Sequence, residues 1–174
     1  MSAWHLRAAQ VRGRQASAAR PDCCRGIAIG AVVSSIPPKL HVGDAGVACA
    51  LLGLDAEAPR ADRGTHGQLL ETFVFQELRR QASWHEDEVR FHHFREKDGA
   101  EVDIVLERGA RHVAGVEVKA SATVTAADFR GLRKLKDACG PRFVAGVVLY
   151  DGETTVGFGE GLHAVPIRTL WETK

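Results

Sequence analysis

Residues 143–150 read F-V-A-G-V-V-L-Y, with no charged side chain in eight positions. A strand with one wet face alternates apolar and polar residues, so a run this uniform predicts a strand buried on both faces. It therefore demands an interior strand in a sheet covered by a layer on each side. The residues just before it supply one such layer. Phe129, Leu132, Leu135 and Cys139 recur at helical spacing, Thr125 is the predicted N-cap with Asp128 at N3, and Gly140-Pro141 forms the stop. A strand, then this helix, then a doubly buried strand implies a mixed sheet with helices on both faces.

The second layer comes from further upstream. Thr65 to Gln68 has capping-box spacing and predicts a helix over 66–82, with Leu69, Leu70, Phe73, Val74, Phe75 and Leu78 wrapping most of its surface. Glu71 lies on the same stripe as Phe75 and Leu78, which places a carboxylate at the rim of the core. Three strands are predicted next: Val89–Arg95, Glu101–Glu107 and His112–Ala120. Asp98-Gly99 and Arg108-Gly109 form the turns between them. In the second strand Val102, Ile104 and Leu106 alternate against Glu101, Asp103 and Glu107. In the third, Ala114, Val116 and Val118 oppose Gly115, Glu117 and Lys119. Short strands at Thr154–Phe158 and His163–Ile167 and a turn near Trp171 close the chain. The order α-β-β-β-α-β predicts an α/β fold with a mixed central sheet flanked by helices.

Upstream of residue 65 the pattern changes. Residues 1–36 have no clean period and carry five arginines (Arg7, Arg12, Arg14, Arg20 and Arg25) against one acid, Asp22. They read as a basic, poorly ordered arm. Residues 37–64 read as a connecting segment in which a short strand runs into a small helix that stops near Gly53. The domain proper is 65–174.

The whole chain carries a net charge of +1, which gives no polyelectrolyte argument for nucleic acid. No apolar run reaches the roughly 20 residues of a membrane span, and no G-x-x-x-x-G-K-[ST] is present, so no ATP site is expected in this chain. Four cysteines without a C-x-x-C pair exclude a zinc ribbon and point to a reduced, cytoplasmic setting. Trp84 and Trp171 read as packing residues at element ends, and Cys49 and Cys139 as small apolar ones.

The residues that carry chemistry are on the middle strands. Asp103 and the E-V-K of Glu117-Val118-Lys119 are on strands joined by a short turn, and Glu117 and Lys119 share a face. Glu71 can close the group. Carboxylates and a peptide carbonyl, here that of Val118, suit a hard cation such as Mg²⁺ or Mn²⁺, and a lysine suits the orientation of a water or the stabilisation of anionic charge. The plainer reading is a set of solvent-facing strand charges worth little individually. Arg130, Arg133 and Lys134, on the polar side of the second helix, are candidates for contacting nucleic-acid phosphates or form a solvated helix face.

A helix Glu, then E-V-D-I-V (101–105), then G-V-E-V-K-A-S (115–121), resembles the PD-(D/E)XK nuclease superfamily. More narrowly, the chain is similar to the C-terminal domain of prokaryotic AAA-type ATPases classed as domain-of-unknown-function family 4143. The stretches that carry the likeness are Pro38–Ala48, Gly67–Leu78, Phe94–Val105, Gly115–Val124, Asp128–Leu135 and Gly146–Gly152. The resemblance implies a restriction-endonuclease-like α-β-β-β-α-β core. It makes Glu71 the helix acid, Asp103 and Glu117 metal ligands and Lys119 the catalytic lysine, in a Mg-dependent hydrolysis of nucleic-acid phosphodiesters. Members of that family carry an ATPase module ahead of this domain, and residues 1–36 do not resemble one. A non-catalytic regulatory module that binds nucleic acid, a protein partner or a second copy of itself stays open beside the nuclease reading, and no membrane partner is expected.

Overall fold

The computed structural model describes residues 39–54, 63–96 and 98–172. The basic arm at 1–36 and, within the connecting segment 37–64, residues 37–38 and 55–62 lie outside these residues. The elements are α1 (Ala45–Leu51), α2 (Arg63–Ala82), β1 (Val89–Arg95), β2 (Glu101–Arg108), β3 (His112–Lys119), α3 (Arg130–Cys139), β4 (Phe143–Tyr150), β5 (Val156–Gly157) and β6 (Leu162–Pro166). A 3₁₀ turn at Ala126–Phe129 precedes α3.

One mixed six-stranded sheet has the order β1-β2-β3-β4-β6-β5. The β1–β2 and β2–β3 pairs are antiparallel; β3–β4 and β4–β6 are parallel. Helix α3 and the 3₁₀ turn before it cover one face through Leu132, Leu135 and Cys139 and through Phe129, packed on Val102, Val105, Val113 and Val148. On the other face, Val74, Leu70, Phe75 and Leu78 of α2 pack on Ile104, Val116 and Leu149. Successive β4 residues bury in opposite layers, Val148 and Tyr150 under α3 and Leu149 under α2, as a two-sided strand requires.

The crossover depends on small residues in α3 and in the strands beneath it. A Cβ on Gly131 would lie 1.8 Å from the Glu101 carbonyl oxygen, and one on Gly115 would lie 2.6 Å from Leu132 Cδ2. Bare backbone at these positions lets α3 lie directly on β2 and β3.

Four sequence expectations are corrected. Residues 39–43 form no strand. Helix α2 begins at Arg63, so Thr65 is inside its first turn and is not its cap. Trp84 and Trp171 are 61% and 54% exposed and are not packed in the core, although Trp171 meets Phe73 edge-on. The simple alternation of β2 also fails. Between His92↔Val105 and Phe94↔Val102, one β1 residue faces two on β2, Asp103 and Ile104. This bulge sends Val102 to the α3 core and Ile104 to the α2 core. Among the described residues no helix is long and apolar enough to cross a membrane.

Candidate active site

The bulge that breaks the β2 alternation is at Asp103, and bulges re-aim side chains. The β2–β3 ladder ends at Ile104↔Val116, and its register would next oppose Asp103 to Glu117. The Asp103 side chain takes over from the ladder there. Its Oδ2 accepts a hydrogen bond from Val118 N–H at 3.0 Å. Asp103 N–H in turn donates to Glu117 Oε2 at 3.4 Å. The N–H and C=O of an extended residue point the same way, so the Val118 carbonyl opens toward the same gap.

Glu117 is largely buried beside the Asp103 carboxylate. Burial first, and then repulsion from Asp103, push its pKa from the ordinary 4.5 up to about 8.

Sequence reasoning did not single out Lys39. Its ammonium lies 2.5 Å from Asp103 Oδ1, 2.9 Å from Glu71 Oε1 and 3.2 Å from Glu101 Oε1. Burial alone would lower its pKa, but Asp103 and Glu71 outweigh that and the net shift is upward. Glu71 moves upward too, because burial outweighs the pull of Lys39. Glu71 thus joins Asp103 through a shared cation.

The segment that carries Lys39 is seated on α2. The His41 ring stacks on Phe75 at 4.3 Å, and its Nδ1 is 3.3 Å from Thr72 Oγ1. Gln76 Nε2 donates to the Val42 carbonyl at 2.9 Å. Burial, and then the neighbouring Lys39, hold His41 below its ordinary pKa. Asp44 caps α1 by accepting from Val47 N–H. The only sequence signal for this segment was the P-K-L-H-V-G-D stretch at 38–44, since its contacts reach across 31 to 64 residues.

Lys119 shares the α3-side face of β3 with Glu117, but its ammonium pairs with Asp128. Asp128 is itself fixed by Thr125, accepting from its N–H at 2.6 Å and its hydroxyl at 2.9 Å. Asp128 thus completes the capping box of the 3₁₀ turn and also anchors the lysine. Burial would raise the Asp128 pKa, but Lys119 and Thr125 prevail and it falls. Glu101, Glu117, Lys119, Asp128 and Arg130 line one open cleft.

The basic side chains of α3 have local partners. Arg130 reaches the Asp98 carbonyl and carboxylate, Lys134 pairs with Glu96 and Asp98, and Arg133 bonds the Ala126 carbonyl at 2.6 Å. Lys134, together with the Ala100 N–H, holds the exposed Asp98 carboxyl down at about 2.

The structure therefore brings Asp103, Glu117 and Val118 into direct contact and ties in Glu71 through Lys39. Lys119 is kept on Asp128, and Arg130, Arg133 and Lys134 are engaged along α3. Among the described residues, no three His, Cys, Asp or Glu side chains are grouped to hold a metal ion; the cation among these carboxylates is the Lys39 ammonium. The donor chemistry nevertheless fits a hard cation. Carboxylate and peptide oxygens are what Mg²⁺ takes, and it needs only one or two protein carboxylates because it keeps several waters.

A family model described as a domain of unknown function, DUF4143, matches residues 66–170, more than half of the chain. The chain belongs to the DUF4143 family. No curated protein and no solved structure matches it. The DUF4143 match spans α2 through β6 and so includes Glu71, Asp103, Glu117 and Lys119. Lys39 and His41 lie ahead of it.

Proposed function

We propose that this DUF4143 domain is a Mg²⁺- or Mn²⁺-dependent nuclease-like module of the PD-(D/E)XK type, with a restriction-endonuclease-like core, that hydrolyses nucleic-acid phosphodiesters. One observation carries the reading. The Asp103 carboxylate fills the gap where β2 leaves β3, bonded to Val118 N–H and opposed to Glu117, with Lys119 two residues further on the Glu117 face. The element order α2-β1-β2-β3-α3-β4 supports the same reading.

In this account Asp103, Glu117 and the Val118 carbonyl hold the cation. When bound, the cation acidifies a water and offsets charge on the phosphate. As a ligand Glu117 would be deprotonated, its proton passing to solvent. Lys119 leaves Asp128 to orient the attacking water or meet the developing negative charge, and Glu71 holds the opposite rim. Arg130, Arg133 and Lys134 exchange their local partners for the phosphates flanking the scissile bond. A cytoplasmic setting is part of this proposal, in keeping with a nucleic-acid substrate and four cysteines without a C-x-x-C pair.

A non-catalytic binding module, engaging nucleic acid or a protein, is the second reading. The local pairing of Arg130, Arg133 and Lys134 favours it, because these side chains do not stand ready for phosphate.

The deciding experiment incubates labelled single- and double-stranded DNA and RNA with the full chain and Mg²⁺ or Mn²⁺, beside Asp103→Asn and Lys119→Met. Cleavage by the wild type that falls at least about a hundredfold in both variants is expected. Equal residual cleavage in all three would refute the assignment.

A further inference from the structure

Lys39 sits on Asp103, one of the carboxylates that the proposed function gives to a divalent cation. Its ammonium contacts the carboxylates of Glu71, Glu101 and Asp103 at 2.9, 3.2 and 2.5 Å. A divalent ion on Asp103 would bind at about 2.0–2.1 Å and carry like charge. Both cations draw on the same carboxylate, and their like charges repel across it, so each weakens the other's hold.

The segment that carries Lys39 is built to leave. Leu40 is 89% exposed and Val42 49%, so little apolar burial holds residues 39–44. In α1 beyond them, Val47 and Leu51 are also largely exposed, and Ala48 is the buried residue. What seats the segment is polar: the Lys39 ion pairs, the His41–Thr72 contact, and the hydrogen bond from Gln76 to the Val42 carbonyl, with the His41–Phe75 stack beside them. Segments held by few apolar contacts open at low free energy.

We infer that Lys39 is an internal competitor of the divalent cation, and that residues 39–44 form a latch which closes the carboxylate cluster until a metal ion displaces it. This rests on the reading of the cluster as a cation site and adds its regulation. The Lys39 ammonium neutralises the carboxylates in the closed form. In the open form the metal takes over that role, and residues 39–44 come off α2. A ligand that requires a fractionally populated open form binds more weakly by that fraction, so a latch seated nine-tenths of the time or more weakens metal binding about tenfold or more.

The test is Mn²⁺ titration of the full chain, followed by calorimetry and by the electron paramagnetic resonance of free Mn²⁺. It compares wild type, Lys39→Met and the double variant Lys39→Met/Asp103→Asn. The latch predicts that Lys39→Met binds Mn²⁺ at least about tenfold more tightly than wild type, and that adding Asp103→Asn removes the gain. Equal, Asp103-dependent binding in wild type and Lys39→Met would overturn the latch and leave the nuclease reading standing. Absence of binding in both would overturn the nuclease reading and the latch together. Hydrogen exchange of the wild type covers the case in which Lys39→Met does not fold. Saturating Mn²⁺ should speed exchange in peptides spanning 41–54 and leave those of β3 and β4 unchanged. No change at 41–54 in Mn²⁺-loaded wild type would overturn the latch.

Discussion

Gly131→Ala and Gly67→Ala place the same methyl group in two helices with opposite consequences. At Gly67 in α2 a Cβ meets nothing within 4 Å. The substitution then acts through backbone freedom alone and should stabilise the fold by about 0.5–1 kcal/mol. At Gly131, in the first turn of α3, the Cβ would lie 1.8 Å from the Glu101 carbonyl oxygen and 2.8 Å from its carbon. Ordinary contact is about 3.5 Å, so α3 must lift from β2 by well over an ångström. The obstacle is backbone, and no rotamer change relieves it. Overpacking costs about 1–3 kcal/mol. Against it stands at most the helix gain of about 0.5–1 kcal/mol, so a net loss of about 1 kcal/mol, and up to about 2.5 kcal/mol, is expected. Lifting α3 also removes Glu101 and Val102, the residues just before Asp103, from their support. Urea unfolding of the two variants reads the overpacking cost directly, because the propensity contribution is common to both; midpoints should separate by about 1–3 kcal/mol once multiplied by m. A Gly131→Ala variant as stable as Gly67→Ala would refute the close approach of α3 to β2, and with it the geometry of the cleft.

Three further outcomes follow from the packing and the buried charges. Glu117 holds its proton more tightly folded than unfolded, so its stability contribution is complete below about pH 4.5 and drains away as pH rises toward about 8. At about 1.4 kcal/mol per pH unit, Glu117→Gln should remove at most about 5 kcal/mol of that loss, so chemical denaturation between pH 5 and 9 should show a flatter profile than wild type; parallel profiles would exclude a buried neutral Glu117. Binding of Mn²⁺ near pH 7 should release about one proton, read from calorimetry in buffers of different ionisation enthalpy; zero release would mean that Glu117 is not a ligand. Phe129 is fully buried and stacked on Phe158. Phe129→Ala should cost about 3–5 kcal/mol in a thermal or urea melt, and a loss under 1 kcal/mol would contradict its place in the core.

Local features of this fold could be read from the chain and long-range ones could not. The Thr125–Asp128 pair formed locally, because its partners are three residues apart, but Thr125 caps the 3₁₀ turn Ala126–Phe129 and not the helix expected there, which begins at Arg130. The apolar run of β4 fixed an interior strand, and Val148, Leu149 and Tyr150 do bury on both sides. The bulge at Asp103 is set by how β1 pairs with β2, so strict alternation along β2 could not reveal it. Thr65 has the right spacing for a cap, but α2 continues two residues past it. Asp103 and Glu117 converged as their antiparallel register implied. Lys39 was invisible as a site residue because its three carboxylates come from α2 and β2, far along the chain. The pairing of Lys119 with Asp128 escaped for a similar reason. Strand alternation gave the face that Lys119 occupies, and the turn that brings Asp128 to that face is tertiary.

Anomalous diffraction from crystals of the wild-type chain grown in Mn²⁺ tests the central claim most directly. The account predicts a Mn²⁺ peak bonded to Asp103 and Glu117, with the Lys39 ammonium displaced from Asp103. Crystals saturated with Mn²⁺ in which Lys39 still bridges Glu71 and Asp103, and no anomalous peak touches either Asp103 or Glu117, would contradict it.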